Sequence, residues 1–173
     1  KEIFAHLDLI LKTMENGVNQ GLREEGILPG PFEMHRKAKR IYLRSKKAKG
    51  GDRFIEEVSS YALAVSEGNA AGRLAVTAPS LGSAGTMPAI VYVMKNRLKL
   101  SRDAMRKGIL AAGLVGFLCK NNAAIAGAEV GCQGEIGVAS AMAAAMLAYA
   151  TGASLEATET AATIALEHHL GMS

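Results

Sequence analysis

The chain has 173 residues, of which 49% are hydrophobic and 21% charged, and its formal net charge is +4. These values are typical of one soluble globular domain, and so small a positive charge does not by itself imply a nucleic-acid partner. Aromatic residues make up only 5% and tryptophan is absent, so the core must consist of aliphatic residues and methionine, which favours close-packed helices over a β-sandwich. Two cysteines exclude a disulfide framework and indicate a reducing cytoplasm.

Both ends of the sequence adjoin helical patterns. The chain begins at Lys1 without an initiator methionine, signal peptide or transit peptide, and it stops at Ser173 directly after a helical pattern. We therefore expect residues 1–173 to be a fragment of a longer protein and to form one domain.

Helical patterns account for the first third of the chain. Apolar residues recur at three- and four-residue steps over residues 3–18, which predicts an amphipathic helix. Turn residues follow at 29–31, and a shorter helix is predicted from Phe32 to about Leu43. Asp52 is the expected N-cap of a third helix.

Nine Lys and Arg residues lie between Arg36 and Arg53. Such a run could bind phosphate, but its only aromatic residue is Tyr42, so it lacks the interleaved rings that stack bases. A solvated helix face that runs into a flexible linker is the preferred interpretation, and no nucleic-acid partner is expected.

A loop rich in hydroxyls and glycine follows the third helix. Residues 69–79 leave helical periodicity, and residues 80–86 lead to Thr86, the expected N-cap of a helix over residues 87–98 with Pro88 in its first turn. Free N–H groups at such a helix start suit an anion, a carboxylate as well as a phosphate. No Gly-Lys-Ser/Thr ends the loop, so it is not a P-loop; an ordinary helix entry explains it equally well.

Two further helices are predicted in the second half of the chain. Ser101 is the expected N-cap of a helix over residues 102–119, and Cys119 lies on its apolar face, so we expect this thiol in the core. Residues 138–150 are uncharged and rich in alanine. They are too few for a membrane span, which needs about 20 strongly apolar residues, so this helix is expected at the domain centre.

The last predicted helix follows Ser154, its expected N-cap, and runs to about Leu170 with Gly171 at the C′ position. No segment shows convincing strand alternation. The sequence therefore predicts an all-α fold, a single compact multi-helix domain with an Ala/Gly-rich central helix, and no association with a membrane.

The stretch of residues 127–137 has the most unusual composition. It contains four glycines, and Cys132 lies between Glu129 and Glu135, three residues from each. Each glycine costs about 1 kcal/mol relative to alanine inside a helix, so a break between helices is expected. A tight connection with an inert, buried cysteine and a functional site both remain open.

Two kinds of thiol chemistry can be weighed at Cys132. A nucleophilic thiolate paired with His168 or His169 is one, although the helix dipole explains histidines at a helix end equally well. Metal binding is the other, but one cysteine cannot complete a zinc or iron–sulfur site. If Cys132 is a ligand, its partners must lie elsewhere.

Four motifs occur in order and at a characteristic spacing. They are Asn69-Ala-Ala-Gly-Arg73, Thr77-Ala-Pro-Ser80 with the following Gly-Ser-Ala-Gly85, Gly127-Ala-Glu-Val-Gly-Cys-Gln-Gly-Glu135 and Ala165-Leu-Glu-His-His-Leu-Gly171. Together they closely resemble the catalytic α subunit or α domain of bacterial iron–sulfur L-serine dehydratases (L-serine ammonia-lyases). The resemblance covers nearly the whole chain and is weakest before about Asp52.

The resemblance implies a cofactor. Members of that family hold a [4Fe–4S] cluster by three cysteines and leave one iron open as a Lewis acid for the substrate hydroxyl. Cys132 matches the first of these ligands, and the other two follow the His-His-Leu-Gly segment in Cys-Asp-Pro and Cys-Ile-Glu-Arg-Asn motifs. Since the sequence ends at Ser173, we expect residues 1–173 alone to hold no intact cluster and to lack dehydratase activity.

The resemblance also implies roles for the neighbouring residues. The loop of residues 77–85 is expected to bind the substrate carboxylate through backbone N–H groups and hydroxyls, and glycines 131 and 134 to let the backbone approach the cluster. Glu129 and Glu135 are candidates for the substrate ammonium or for proton transfer, although either could instead cap backbone amides. The expected substrate-binding residues are Asn69, Thr77, Ser80, Ser83 and Gly85.

The expected partners are L-serine, a regulatory β domain or subunit, and a second copy in a homodimer. Alternatives are a related, cluster-dependent L-cysteine desulfidase and a helical interaction module without chemistry.

Overall fold

The computed structural model describes residues 2–171, except the side chains of Cys132 and Gln133. Within these residues the secondary structure is helical apart from one isolated antiparallel bridge between Ile27 and His35. The predicted all-α fold is confirmed. The helices are α1 (Glu2–Gly21), α2 (Ala38–Ser45), α3 (Gly50–Ala70), α4 (Thr86–Asn96), α5 (Arg102–Asn122), α6 (Gly127–Ala150) and α7 (Leu155–Glu167).

The alanine-rich helix α6 lies at the centre, as predicted, and packs against α4, α5 and α7. The main core forms where α1, α4, α5 and α6 meet, and methionines fill much of it. A second cluster joins α1, α3 and α4. The fully buried methionines are Met87, Met94, Met105 and Met146.

Glycines let α5 and α6 approach each other closely. A Cβ atom added at Gly108 would lie 2.7 Å from the backbone oxygen of Met146, and one at Gly116 would lie 2.9 Å from the Sδ of Met142. A Cβ at Gly113, on the same helix, would meet nothing within 4 Å. The first two glycines therefore serve helix packing, and the third does not.

The start of α2 differs from the sequence prediction, which placed it at Phe32. Residues 27–36 instead form a turn in which Leu28 N donates to Met34 O (2.8 Å) and Arg36 N donates to Gly26 O (2.9 Å). This pairing withdraws the backbone of residues 32–36 from helix formation, and α2 begins at Ala38.

The first turn of α2 is capped by a residue from α3. Lys37 occupies the N-cap position without a side-chain cap of its own. The buried carboxylate of Glu67 accepts hydrogen bonds from Lys37 N at 2.6 Å and from Ala38 N at 3.3 Å. A negative group at a helix N-terminus is electrostatically favoured, so α2 is fixed by its contact with α3.

Serine caps were predicted correctly, but two other caps were not. Ser101 Oγ accepts from Ala104 N and Ser154 Oγ accepts from Ala157 N, so both predicted caps are confirmed. Asp52 lies inside the first turn of α3, because that helix already starts at Gly50 and absorbs the predicted flexible linker. Thr86 likewise is the first residue of α4, whose N-cap position is Gly85.

The ends of α5 and α7 each differ from the prediction by three residues. Helix α5 continues three residues beyond the predicted end, to Asn122. Helix α7 ends at Glu167 instead of Leu170, and turns cover residues 168–171, with Gly171 at φ +82°. Among the described helices, none combines the length and the apolar character required to cross a membrane.

A network of ion pairs joins α1 to α4 and α5. The buried carboxylate of Glu15 lies 2.5 Å from Lys95 Nζ and 3.1 Å from Arg102 Nη1. Asp8 accepts hydrogen bonds from Arg102 Nε at 2.8 Å and from Arg106 Nη2 at 2.5 Å. Mainly through the bond from Arg106, the pKa of Asp8 is lowered to about 2.

Candidate functional site

The glycine-rich stretch of residues 127–137 is helical except at one residue. Gly131 has φ +67° and ψ −174°, whereas the predicted break was expected to extend over the whole stretch. A Cβ at Gly131 would meet nothing within 4 Å, so glycine is required there by the backbone conformation and not by space. Cys132 follows this break, and its side chain lies outside the described part of the structure; its role as a ligand stays a prediction.

Gly134 has a packing role in this break. A Cβ atom added at Gly134 would lie 2.6 Å from the Cβ of Val130, so the short turn before Gly131 folds its valine onto the helix that follows. Close approach between these two turns therefore explains a glycine at position 134 without a cofactor.

The carboxylate of Glu135 lies against the hydroxyl-rich loop. Ser80 Oγ donates a hydrogen bond to Glu135 Oε1. A Cβ atom at Gly82 would lie 2.7 Å from Glu135 Oε2, and one at Gly127 would lie 2.8 Å from the same oxygen. The fold thus brings together the two motifs that the sequence singled out separately, and it encloses the Glu135 carboxylate between two glycines.

Other side chains of the predicted substrate site hold the loop itself. Asn69 Nδ2 donates to the backbone oxygen of Leu81 at 3.2 Å. Ser83 is buried, with its Oγ 3.4 Å from the backbone oxygens of Ala78 and Ser80 and from the Oγ of Ser80. These groups fix the shape of the loop beside Glu135.

Gly85 and Thr77 lie in very different environments. A Cβ at Gly85 would lie 2.5 Å from the Oγ of Ser66, so a glycine at this position lets the start of α4 contact α3. Thr77 is exposed at the other end of the loop. Of the predicted substrate-binding residues, Thr77 is the one whose side chain is open to solvent.

The two candidate carboxylates are not equivalent. Glu129 is exposed and lies in the first turn of α6, before Gly131. Glu135 is half-buried, lies after Gly131 and contacts the loop. Geometry therefore distinguishes two residues that the sequence left as equal alternatives.

Of the two histidines that follow α7, His169 contacts α6 and His168 does not. His169 Nδ1 is 2.8 Å from the backbone oxygen of Ala165, and its Nε2 is 3.3 Å from Ser140 Oγ. A Cβ at Gly137 would lie 3.2 Å from the Cβ of His169. His168 is exposed and its Nδ1 lies 2.7 Å from the backbone oxygen of Ile164. Both rings thus engage helix carbonyls, and His169 also packs on α6.

Sequence reasoning missed Gly82, Gly127 and Ser140 as contributors to this region. Gly82 and Gly127 stood inside the recognised motifs, but their purpose depends on where Glu135 lies. Ser140 carried no local signal, because its contact with His169 crosses 29 residues of sequence.

The described side chains do not include a complete metal site. No group of three or more His, Cys, Asp or Glu side chains among them is arranged to hold a metal ion. Cys119 was predicted in the core, but it is only partly buried, at the edge of the main core. Burial still raises the pKa of its thiol, which disfavours the thiolate that binds metals. Since the sequence has two cysteines, residues 1–173 by themselves do not fit a cluster held by three thiolates.

Comparison with known proteins gives a consistent result over the whole chain. The family described as "Serine dehydratase alpha chain" matches residues 1–173. The L-serine dehydratase of Haemophilus influenzae is 45% identical over 176 residues, which cover 99% of this chain and 39% of that protein. L-serine dehydratase 1 of Escherichia coli is 43% identical over 177 residues, 99% of this chain and 38% of that protein. The L-serine dehydratase of Streptomyces coelicolor is 43% identical over 175 residues, with the same two shares. The chain therefore spans about two fifths of the length of these relatives.

Proposed function

The chain belongs to the serine dehydratase alpha chain family, and from this premise we propose that it is the catalytic α part of an L-serine dehydratase. In that reaction L-serine loses its α-proton and its hydroxyl group as water, and the resulting aminoacrylate tautomerises and is hydrolysed to pyruvate and ammonia. The observation that carries the proposal is the contact between Ser80 and Glu135. It joins the loop that has candidate anion-binding groups to the stretch that has a candidate proton acceptor.

Glu135 is the residue that we propose for proton transfer. Its carboxylate receives a hydrogen bond from Ser80, and Gly82 and Gly127 lie so close to it that a side chain at either position would displace the carboxylate. A carboxylate held in one orientation is placed to accept the α-proton of a bound substrate. A positioned general base contributes roughly 10²–10⁴-fold to a rate. In this arrangement Ser80 is a positioning residue for Glu135.

The substrate carboxylate is proposed to bind where the loop enters α4. The first turn of a helix carries the positive end of the helix dipole, which attracts an anion. In α4, Thr86 N already donates to Ser83 O and Pro88 has no N–H group, so Met87 N is the backbone donor that we propose for the anion. Asn69 and Ser83 contact the loop backbone, so we assign loop shaping to them and carboxylate binding to the helix start. Thr77, exposed at the other end of the loop, remains a proposed contact for another part of the substrate.

Cys132 is proposed as one thiolate ligand of a [4Fe–4S] cluster whose other ligands come from outside residues 1–173. When bound, such a cluster supplies a Lewis acid for the substrate hydroxyl. The described residues contribute two other functions. Ser80 orients Glu135, and the glycines at positions 82 and 127 leave space for its carboxylate.

The test compares two carboxylate variants of the full-length protein, Glu135→Gln and Glu129→Gln, under anaerobic conditions. We expect pyruvate formation from L-serine to fall at least about 100-fold for Glu135→Gln and to stay within about threefold for the exposed Glu129→Gln. Bound iron, measured separately, should be equal in the two variants and the unmodified protein. Equal turnover by the two variants would assign proton transfer elsewhere, and turnover of L-cysteine in place of L-serine would support the desulfidase alternative.

A further inference from the structure

A cavity lies at the opposite end of α3 and α4 from Glu135. Its volume is about 570 Å³, and its walls come from α2, the first half of α3 and the end of α4. We call it the tyrosine pocket, because three tyrosines line it, Tyr42, Tyr61 and Tyr92. The Glu135 region adjoins Asn69 at the end of α3 and Gly85 at the start of α4, so the two sites are separated by the length of these helices.

Positive charge is in excess at this pocket. Glu57 is 8% exposed and is the one carboxylate in the pocket lining. Its oxygens lie 3.0 Å from Arg53 Nε, 3.4 Å from Arg97 Nη1 and 3.8 Å from Lys46 Nζ. The side chains of the three cations remain 45–50% exposed. Three cations thus share one carboxylate, which leaves two positive charges without a counterion in the lining.

The three tyrosines form the aromatic part of the lining, which Gly50, Val93 and Asn96 complete. The ring of Tyr61 lies 4.6 Å from that of Tyr92 and 6.0 Å from that of Tyr42, between centroids. Lys46 Nζ lies 4.2 Å above the ring of Tyr42. The hydroxyl of Tyr61 is neutral at physiological pH, as for any tyrosine, and burial raises its pKa further. The cavity therefore offers aromatic surface beside exposed cations, and its volume falls within the range of about 300–1,000 Å³ that is usual for small-molecule sites.

We propose that the tyrosine pocket binds a small molecule that has an oxyanion group, a carboxylate or a phosphate, on an aromatic or apolar body. The oxyanion supplies the counterion for Arg53 and Arg97, whose planar guanidinium groups match carboxylate and phosphate oxygens. The ring or apolar body packs against Tyr61 and Tyr92. This site does not depend on the function proposed for the Glu135 region.

Binding of three probes to the full-length protein tests the proposal. The probes are phenyl phosphate, benzoate and the uncharged benzyl alcohol, measured by isothermal titration calorimetry at low salt. We expect at least one of the two anions to bind at least tenfold more tightly than benzyl alcohol, and 0.5 M NaCl to weaken that binding because the charges are near the surface. The stronger of the two anions then identifies the oxyanion class.

Matched variants separate the pocket from general basic charge. Arg97→Gln and Lys46→Gln should each weaken binding of the preferred anion at least fivefold, and Arg40→Gln, an exposed cation of α2 outside the pocket, should change it less than twofold. Lys46→Gln leaves Glu57 paired with both arginines, so it tests the pocket with the least risk to folding. Equal binding of all three probes, no binding at millimolar concentration, or equal losses for Arg40→Gln and Lys46→Gln would overturn the proposal.

Discussion

Three glycines on one helix, α5, should respond to alanine in different ways. Alanine in place of glycine in a helix interior stabilises the folded state by about 1 kcal/mol through helix propensity. At Gly113 a Cβ meets nothing within 4 Å, so this gain should appear in full. At Gly108 the Cβ would lie 2.7 Å from the backbone oxygen of Met146. Because backbone cannot rotate away, α5 and α6 must separate, and overpacking of this kind costs about 1–3 kcal/mol.

The third position gives an intermediate case. A Cβ at Gly116 would lie 2.9 Å from the Sδ and 3.0 Å from the Cε of Met142, atoms at the far end of a flexible side chain that can change rotamer. The predicted order of stability is therefore Gly113→Ala, then Gly116→Ala, then Gly108→Ala. Only the first should exceed the unmodified protein by about 1 kcal/mol.

Thermal and urea unfolding, followed by circular dichroism at 222 nm, measure this order. For a chain of this size 1 kcal/mol corresponds to about 2–4 °C in Tm, so Gly113→Ala should unfold several degrees above Gly108→Ala. If all three alanine variants had equally raised Tm values, helix propensity alone would explain their stability. That result would refute the close contact between α5 and α6.

The remaining predictions concern the backbone angle of Gly131, the titration of Asp8 and the glycine that contacts the carboxylate of Glu135. Gly131→Ala forces an alanine into φ +67° and should destabilise the protein by about 1–3 kcal/mol; a loss below 0.5 kcal/mol in urea unfolding would argue against the break. Asp8 has a pKa of about 2 in the folded protein against an ordinary value of 3.8, so its contribution to stability is complete above pH 4 and is lost as the pH falls toward 2. Asp8→Asn should accordingly show a flatter decline of Tm between pH 4 and pH 2 than the unmodified protein, and parallel curves would contradict this. Gly127→Ala places a Cβ 2.8 Å from Glu135 Oε2 and should lower kcat for L-serine at least tenfold in the full-length protein, whereas Gly113→Ala should leave kcat unchanged; equal kcat values would mean that the border of Glu135 is not needed.

Local signals in the sequence were sufficient for most helices. The caps at Ser101 and Ser154 were predictable because a cap joins a side chain to an N–H group three residues later. The start of α2 was not, because its capping carboxylate, Glu67, lies 30 residues beyond Lys37 in sequence. The predicted N-cap at Asp52 was wrong because α3 begins two residues earlier, at Gly50, although aspartate is a good capping residue.

The candidate site was predictable as motifs but not as an arrangement. Composition pointed to the loop before α4 and to the stretch around Cys132, since hydroxyls, glycines and carboxylates are concentrated there. Which of the two glutamates faces the loop depends on how α6 packs, and packing over 55 residues of sequence leaves no local pattern. The role of Gly82 likewise became definable only once Glu135 had a position.

The contact between Ser80 and Glu135 also bears on how the domain acquires its site during folding. Helices α4 and α5 lie wholly between the two residues in sequence, so the hydrogen bond closes a long loop and must offset the entropy of that closure. Individual helices form within about a microsecond, whereas this contact requires α6 to have docked on α4. In a refolding experiment the helical signal should therefore recover before the contact between Ser80 and Glu135 forms. A chain whose helices have formed but have not packed does not yet have the candidate site.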